Sequence, residues 1–180
     1  MRVELDIDGE GKGEISTGIP FFDHMLELLS RHSLFDLRVE AEGDLEVDFH
    51  HTVEDVGITL GRAFREALGD KKGISRYGWA IIPMDEALSM VAVDVSSRPG
   101  LVFKGEIKRE KVGGFDAELL PVFLKSFSDH AGITLHVWVM YGDNLHHVME
   151  SVFKALGKAL RMAVSFDPRE KGLPSTKGLL

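Results

Sequence analysis

The period of hydrophobic positions changes repeatedly along this chain, and each change marks an element. "RVELDID" (2–8) is apolar at every second residue, the period of a half-buried strand, and runs into the turn-rich "GEGKG". The pattern predicts a strand, a turn and a short return strand. Pro20 suits the first turn of a helix, and "FFDHMLELLSRHS" (21–33) then has apolar residues at helical spacing. "LFDLRVEAEGDLEVDF" (34–49) predicts a hairpin turning at Glu42-Gly43-Asp44. A helix begins at or near His50, with Val53, Val56, Leu60, Phe64 and Leu68 as its apolar stripe, and ends at "LGDKKG". Residues 76–107 are strand-rich, broken at Pro83–Glu86 and at Pro99-Gly100. A helix over "DAELLPVFLKSFSDHAG", a strand over "ITLHVWVMYGD" and a helix from Asn144 as N-cap follow, before the polar tail "FDPREKGLPSTKGLL".

One order of elements occurs twice. Helix, strand, then a helix opening with His-His-x-x-Glu spans residues 19–69 and again 116–165. The expected fold is α+β, with two internally duplicated half-domains (about 1–85 and 86–180), each a β-sheet backed by helices. They form one compact domain with pseudo-twofold symmetry, since no linker is long enough to separate them.

Composition narrows the function classes. A hydrophobic fraction of 44% and a charged fraction of 28% fit a water-soluble globular chain. No apolar run reaches the roughly 20 residues a bilayer span needs, and the N-terminus lacks the pattern of a secretory signal. The absence of cysteine excludes thiolate chemistry and fits a cytoplasmic protein. A net charge of −8 argues against a nucleic-acid partner and offers no basic face to a membrane. It still permits an anionic small molecule held by a few local cations.

Four of the eight histidines lie in the two repeated motifs, "HHTVE" and "HHVME". On a helix, i and i+4 stack one turn apart while i+1 points about 100° away. His50 and Glu54 thus share a face, as do His146 and Glu150, leaving His51 and His147 to turn elsewhere. The simplest closed arrangement is reciprocal: His50 and Glu54 with His147, and His146 and Glu150 with His51. Imidazole and carboxylate without sulfur suit Mn²⁺, Fe²⁺ or Zn²⁺. A single His-His pair is more often an ordinary surface feature; two copies at equivalent places in two repeats point to a paired metal centre. Lys154 continues the His146–Glu150 stripe, where it can pair with Glu150 or hold an anionic ligand. Arg76, Arg98 and the run Ser175-Thr176-Lys177 sit at chain breaks and offer phosphate-holding groups.

Seven ordered stretches, "TGIPFFDHML", "DFHHTVEDVGITLG", "SRYG", "DVSSRPG", "AGITLH", "GDNLHHVMESVFKALGKALR" and "PSTKG", resemble the imidazoleglycerol-phosphate dehydratase family over nearly the whole chain. The resemblance implies a ribosomal protein S5 domain 2-like fold and a hydro-lyase of histidine biosynthesis. Such an enzyme dehydrates imidazole glycerol phosphate to imidazole acetol phosphate through a metal-stabilised imidazolate. It also implies two Mn²⁺ per active site and homo-oligomers of 24 subunits with active sites between subunits. Position by position, His24, His51, His146 and Glu150 would hold one ion, and His50, Glu54 and His147 the other. Arg76, Arg98, Lys154, Ser175, Thr176 and Lys177 would hold the phosphate, and Glu54 and Glu150 would share the catalytic work.

Two departures stand out. Val122 occupies a position where the family often has a ligating His or Glu, which leaves that site one protein ligand short, to be completed by water or by His130. The family's longer N-terminal segment carries an acid/base glutamate, for which Glu4 is the candidate here. The competing reading is a non-enzymatic metal-binding or storage protein, which leaves the Arg, Lys and Ser set without a role.

Overall fold

The computed structural model describes residues 1–178. The first half contributes β1 (Arg2–Asp6), β2 (Gly13–Ser16), α1 (Pro20–Ser33), β3 (Asp36–Glu40) and α2 (His50–Ala67). The second contains β4 (Tyr77–Met84), β5 (Ala87–Asp94), β6 (Gly100–Lys104), β7 (Lys111–Val112), β8 (Phe115–Asp116), α3 (Leu119–Ala131), β9 (Thr134–Tyr141) and α4 (Leu145–Val164). Strand order in the first sheet is β1-β3-β2, with β1 antiparallel and β2 parallel to β3. In the second it is β4-β5-β9-β6, with β5 antiparallel and β6 parallel to β9. The sets β1-β3-β2 and β5-β9-β6 share order and direction, so the duplication in the sequence is a duplication of topology. Strand β4 falls before residue 85 yet pairs with β5, joining the second sheet.

The four helices fill the space between the sheets, each packed on a helix from the other half: α1 on α4, and α2 on α3. The predicted stripe of α2 is buried throughout, from Val53 to Leu68. Pro20 stands at the first turn of α1, and Asn144 caps α4 by accepting the His146 N–H at 3.0 Å. Close helix contact needs a missing side chain: a Cβ on Gly61 would lie 2.7 Å from the Phe127 carbonyl oxygen of α3. No helix among the described residues is long and apolar enough to cross a membrane.

Two predicted hairpins do not form. β1 and β2 are not partners, because β3 inserts between them. For the same reason the chain after β3 cannot return as a neighbouring strand: both edges of β3 are taken. Residues 41–49 instead run as turns toward α2, with Gly43 close against Thr52. The short hairpin β7–β8 is absent from the periodicity, being two residues a side. The tail is partly tied down, since the Gly73 N–H donates to the Gly172 carbonyl at 3.0 Å and the Asp167 N–H donates to the Gly73 carbonyl at 2.9 Å. Leu179 and Leu180 lie outside the described residues.

The second sheet meets α4 at backbone distance. A Cβ on Gly78 would fall 1.9 Å from the Ala159 carbonyl oxygen and 2.8 Å from the Ala163 nitrogen, neither of which can swing away. Gly78→Ala should therefore destabilise the fold by about 1–3 kcal/mol through overpacking. Gly172→Ala, with no atom within 4 Å of the added carbon, serves as control. Denaturant unfolding of both variants tests this; equal stability would show that α4 can move off the strand.

Candidate metal centre and anion clamp

The second His-His-x-x-Glu motif lies in the first turns of α4. One turn separates His146 and Glu150, and the imidazole Nε2 lies 2.9 Å from Glu150 Oε1. His24, carried by α1, brings its Nε2 to 3.1 Å from the same oxygen. Lys154, a turn further along α4, holds the other oxygen at 2.5 Å, and its Nζ also lies 3.1 Å from Met84 Sδ. Glu150 is only 7% exposed. Burial alone pushes its carboxyl up, but hydrogen bonds from Lys154, His24 and His146 outweigh this and bring it down to about 2. It is therefore a permanent anion with two imidazoles beside it. His24, His146 and Glu150 offer ligand atoms all within 4.8 Å of one another, a donor set that fits a divalent transition metal.

The second pair, on α2, lines a separate pocket of about 440 Å³. His50 and Glu54 share its wall with Leu101, Phe103, Val122 and Lys125. The i,i+4 geometry thus presents both ligand types to one space, while Val122 contributes an apolar surface and no lone pair. His50 and Val122 also line an adjoining pocket of about 560 Å³, beside Asp48, Asp116 and Glu118. His130 does not reach His50 and Glu54. It lies two turns, about 12 Å, beyond Val122 along α3, lining another cleft with Arg62, Arg65 and Asp129. Its Nδ1–H donates to the Ser126 carbonyl at 2.9 Å.

Neither reciprocal set closes within one chain. His51 is on α2, in the helix pair away from His24, His146 and Glu150. His147 is on α4, away from His50 and Glu54. Glu86, in the turn between β4 and β5, engages it instead: His147 Nδ1 lies 2.7 Å from Glu86 Oε2, and Glu86 Oε1 accepts the Asn144 N–H at 2.7 Å. The His147 contact and the Asn144 N–H hold the Glu86 carboxyl down at about 2. Hydrogen bonding to Glu86 in turn raises the His147 pKa.

The basic residues fall into two groups. Arg76 is nearly buried, with an 11% exposed side chain, and grips Asp94 with two nitrogens at 2.7 and 3.2 Å. Its Nη1 donates to the Pro174 carbonyl at 2.8 Å, so it also fixes the segment leading into Ser175, Thr176 and Lys177. Arg98 touches the same Asp94 at 3.4 Å. Arg76, Arg98 and the 175–177 run thus converge, with Asp94 as an organiser that the sequence reading missed, although it stands four residues before Arg98. Lys154 is not in this group. The Arg76 N–H donates to the Ala163 carbonyl at the far end of α4, thirteen residues, or about 20 Å, from Glu150. Glu4 lies elsewhere again, paired with Arg2 on β1 and lining a groove with Asp6, Lys12 and Arg38.

Comparison with known proteins identifies the family. The family model described as imidazoleglycerol-phosphate dehydratase matches residues 17–160. The chain is 54% identical over 180 residues to the imidazoleglycerol-phosphate dehydratase of Pelobacter propionicus, covering all of this chain and 92% of that one. To the Azorhizobium caulinodans protein of the same name it is 58% identical over 181 residues, again covering 100% and 92%. Among solved structures, the Staphylococcus aureus imidazoleglycerol-phosphate dehydratase superposes with a TM-score of 0.85 at 41% identity, covering 92% of this chain and 94% of that one. The Pyrococcus furiosus enzyme gives 0.85 at 39% identity over 99% and 94%. The chain therefore belongs to the imidazoleglycerol-phosphate dehydratase family of hydro-lyases.

Proposed function

We propose that this protein dehydrates imidazole glycerol phosphate to imidazole acetol phosphate in histidine biosynthesis, as a cytoplasmic, Mn²⁺-dependent homo-oligomer. The observation that carries this reading is the convergence of His24 and His146 on the buried Glu150 carboxylate, in a chain of this family. A storage protein would explain the imidazoles but not Arg76 and Arg98 gathered on Asp94 beside the 175–177 run.

Removing a proton from the carbon next to the leaving hydroxyl is difficult, because no carbonyl acidifies it. Metal bound at the two sites would supply Lewis-acid stabilisation of the deprotonated imidazole, which is what makes loss of the hydroxyl feasible. The chain's own groups hold and orient. His24, His51, His146 and Glu150 suit one ion; His50, Glu54 and His147 suit the other. Glu150, held near pKa 2, is a ligand rather than a proton carrier, since a useful general base titrates closer to working pH. Glu54 lines its own pocket beside His50, where it suits the second ion. Arg76, Arg98, Lys154, Ser175, Thr176 and Lys177 suit the phosphate, whose remote binding fixes the imidazole.

Two observations support assembly. Neither reciprocal ligand set is complete in one chain: His24, His146 and Glu150 form a cluster without His51, and His50 and Glu54 line a pocket without His147. In addition, the sheet face opposite α4 is bare and apolar, with Trp79 59% and Trp138 43% exposed. Copies of the chain that complete one another's sites would account for both. Two Mn²⁺ per site and 24 subunits are the composition this reading adopts.

Three outcomes follow. Glu150→Gln should abolish turnover while the far-ultraviolet circular dichroism stays that of the parent; full activity with Mn²⁺ bound would remove the ligand assignment. Val122→His should tighten the weaker ion, adding a lone pair beside His50 and Glu54, and leave the other unchanged. A Mn²⁺ titration reads both affinities, and no change in either would place position 122 outside the site. Chelation should split a large particle into smaller oligomers, reversed by Mn²⁺, because ligand-linked interfaces are stabilised by mass action. Light scattering with metal analysis decides it, and an unchanged mass in fully metal-free protein would show that the ions do not hold the copies together.

A further inference from the structure

The turn between β4 and β5 has no part in the proposed chemistry, yet it meets the start of α4 repeatedly. Met84 Sδ accepts from Lys154, Glu86 Oε1 accepts the Asn144 N–H at 2.7 Å, and Glu86 Oε2 faces His147 Nδ1 at 2.7 Å. Asp85 at the turn has φ +48°, a left-handed backbone that a non-glycine residue adopts at a cost. Its Oδ2 stands 3.6 Å from the other ring nitrogen of His147. The strained turn thus sets Glu86 at hydrogen-bond distance from Nδ1, while Asp85 faces Nε2 from beyond that distance and makes no hydrogen bond to it.

A neutral imidazole has one N–H and one lone pair, and its hydrogen-bond partner decides which nitrogen carries which. Glu86 is anchored by the α4 cap N–H and, as a carboxylate, can only accept. It therefore stabilises the tautomer protonated at Nδ1, which puts the lone pair on Nε2. We propose that Glu86 is a positioning residue for the metal centre: it fixes His147 in the Nε2-ligating tautomer and orientation, as carboxylates behind ligating histidines generally do. The inference rests on His147 being a metal ligand, as proposed above. In this role Glu86 acts through His147 and is not itself a ligand.

The test is a Mn²⁺ titration of the full-length wild-type, Glu86→Ala and Glu86→Gln proteins, followed by the electron paramagnetic resonance of free Mn²⁺. Each protein is also melted metal-free. Glu86→Ala should weaken one class of site by about 10–100-fold and leave the other unaltered. The affected class should be the one that Val122→His tightens. Glu86→Gln keeps an isosteric side chain with a single acceptor oxygen, which cannot serve both Asn144 and His147, and should weaken the same class less. The metal-free melting temperature of the Gln variant should stay near wild type, since a merely structural role would lower it and leave the two affinities in their original ratio. Wild-type affinity at both classes in both variants overturns the proposal, as does weakening of the other class or of both equally. Wild-type protein that binds no Mn²⁺ would instead overturn the functional reading and this inference with it.

Discussion

A buried carboxylate is the constraint around which this molecule is arranged. Removing Glu150 from water costs several kcal/mol unless its oxygens find partners. Two of the three partners come cheaply, because His146 and Lys154 lie one turn on either side along α4. The third, His24, belongs to α1, so α1 must hold a fixed height against α4. A slip of one helical turn, about 5.4 Å, would carry the imidazole out of reach. Phe22, Met25, Leu26 and Leu29, all buried on α1, secure that register by packing. Core and site are therefore one problem: the apolar contacts that place α1 on α4 also make the ionised carboxylate tolerable.

The same division explains what the residue pattern shows and what it leaves out. His146 with Glu150, and His50 with Glu54, are legible because one helix supplies both members at a spacing its geometry fixes. The stripe of α2 is legible because amphipathic periodicity reports burial directly. Strand neighbours are not. Alternation in "RVELDID" and "LFDLRVE" identifies strand faces but cannot say that β3 separates β1 from β2, so two hairpins were expected where none exists. Glu86 with His147 is a contact across 61 residues, and His24 with Glu150 one across 126. No local period carries such pairings. His24 entered through family resemblance, and Glu86 and Asp94 emerged only from three-dimensional contact.

Carboxylates here act mostly as organisers of nitrogen. Asp94 gathers Arg76 and Arg98, Glu86 gathers His147 and the α4 cap, and Glu150 gathers His24, His146 and Lys154. A chain of net charge −8 thereby holds several of its basic groups in fixed places by its own carboxylates. Arg76, held by two nitrogens on Asp94 and a third on the Pro174 carbonyl, has little rotamer freedom left.

The outer face of the second sheet is apolar and uncovered. Across paired strands, Ile81 stands opposite Met90, and Met90 opposite Trp138. One row over, Trp79 faces Ala92, which faces His136. Helix α4 covers the other side of these strands, so a row of large apolar side chains remains in water. A lone chain holds this face exposed, with Trp79 and Trp138 in water, and keeps His50 and Glu54 on α2 while His24, His146 and Glu150 gather between α1 and α4. Covering the face and closing the sites are different requirements, one of hydrophobic area and one of coordination geometry. Under the proposed function, association of copies would satisfy both, and would tie the duplicated His-His-x-x-Glu motif to assembly as well as to chemistry.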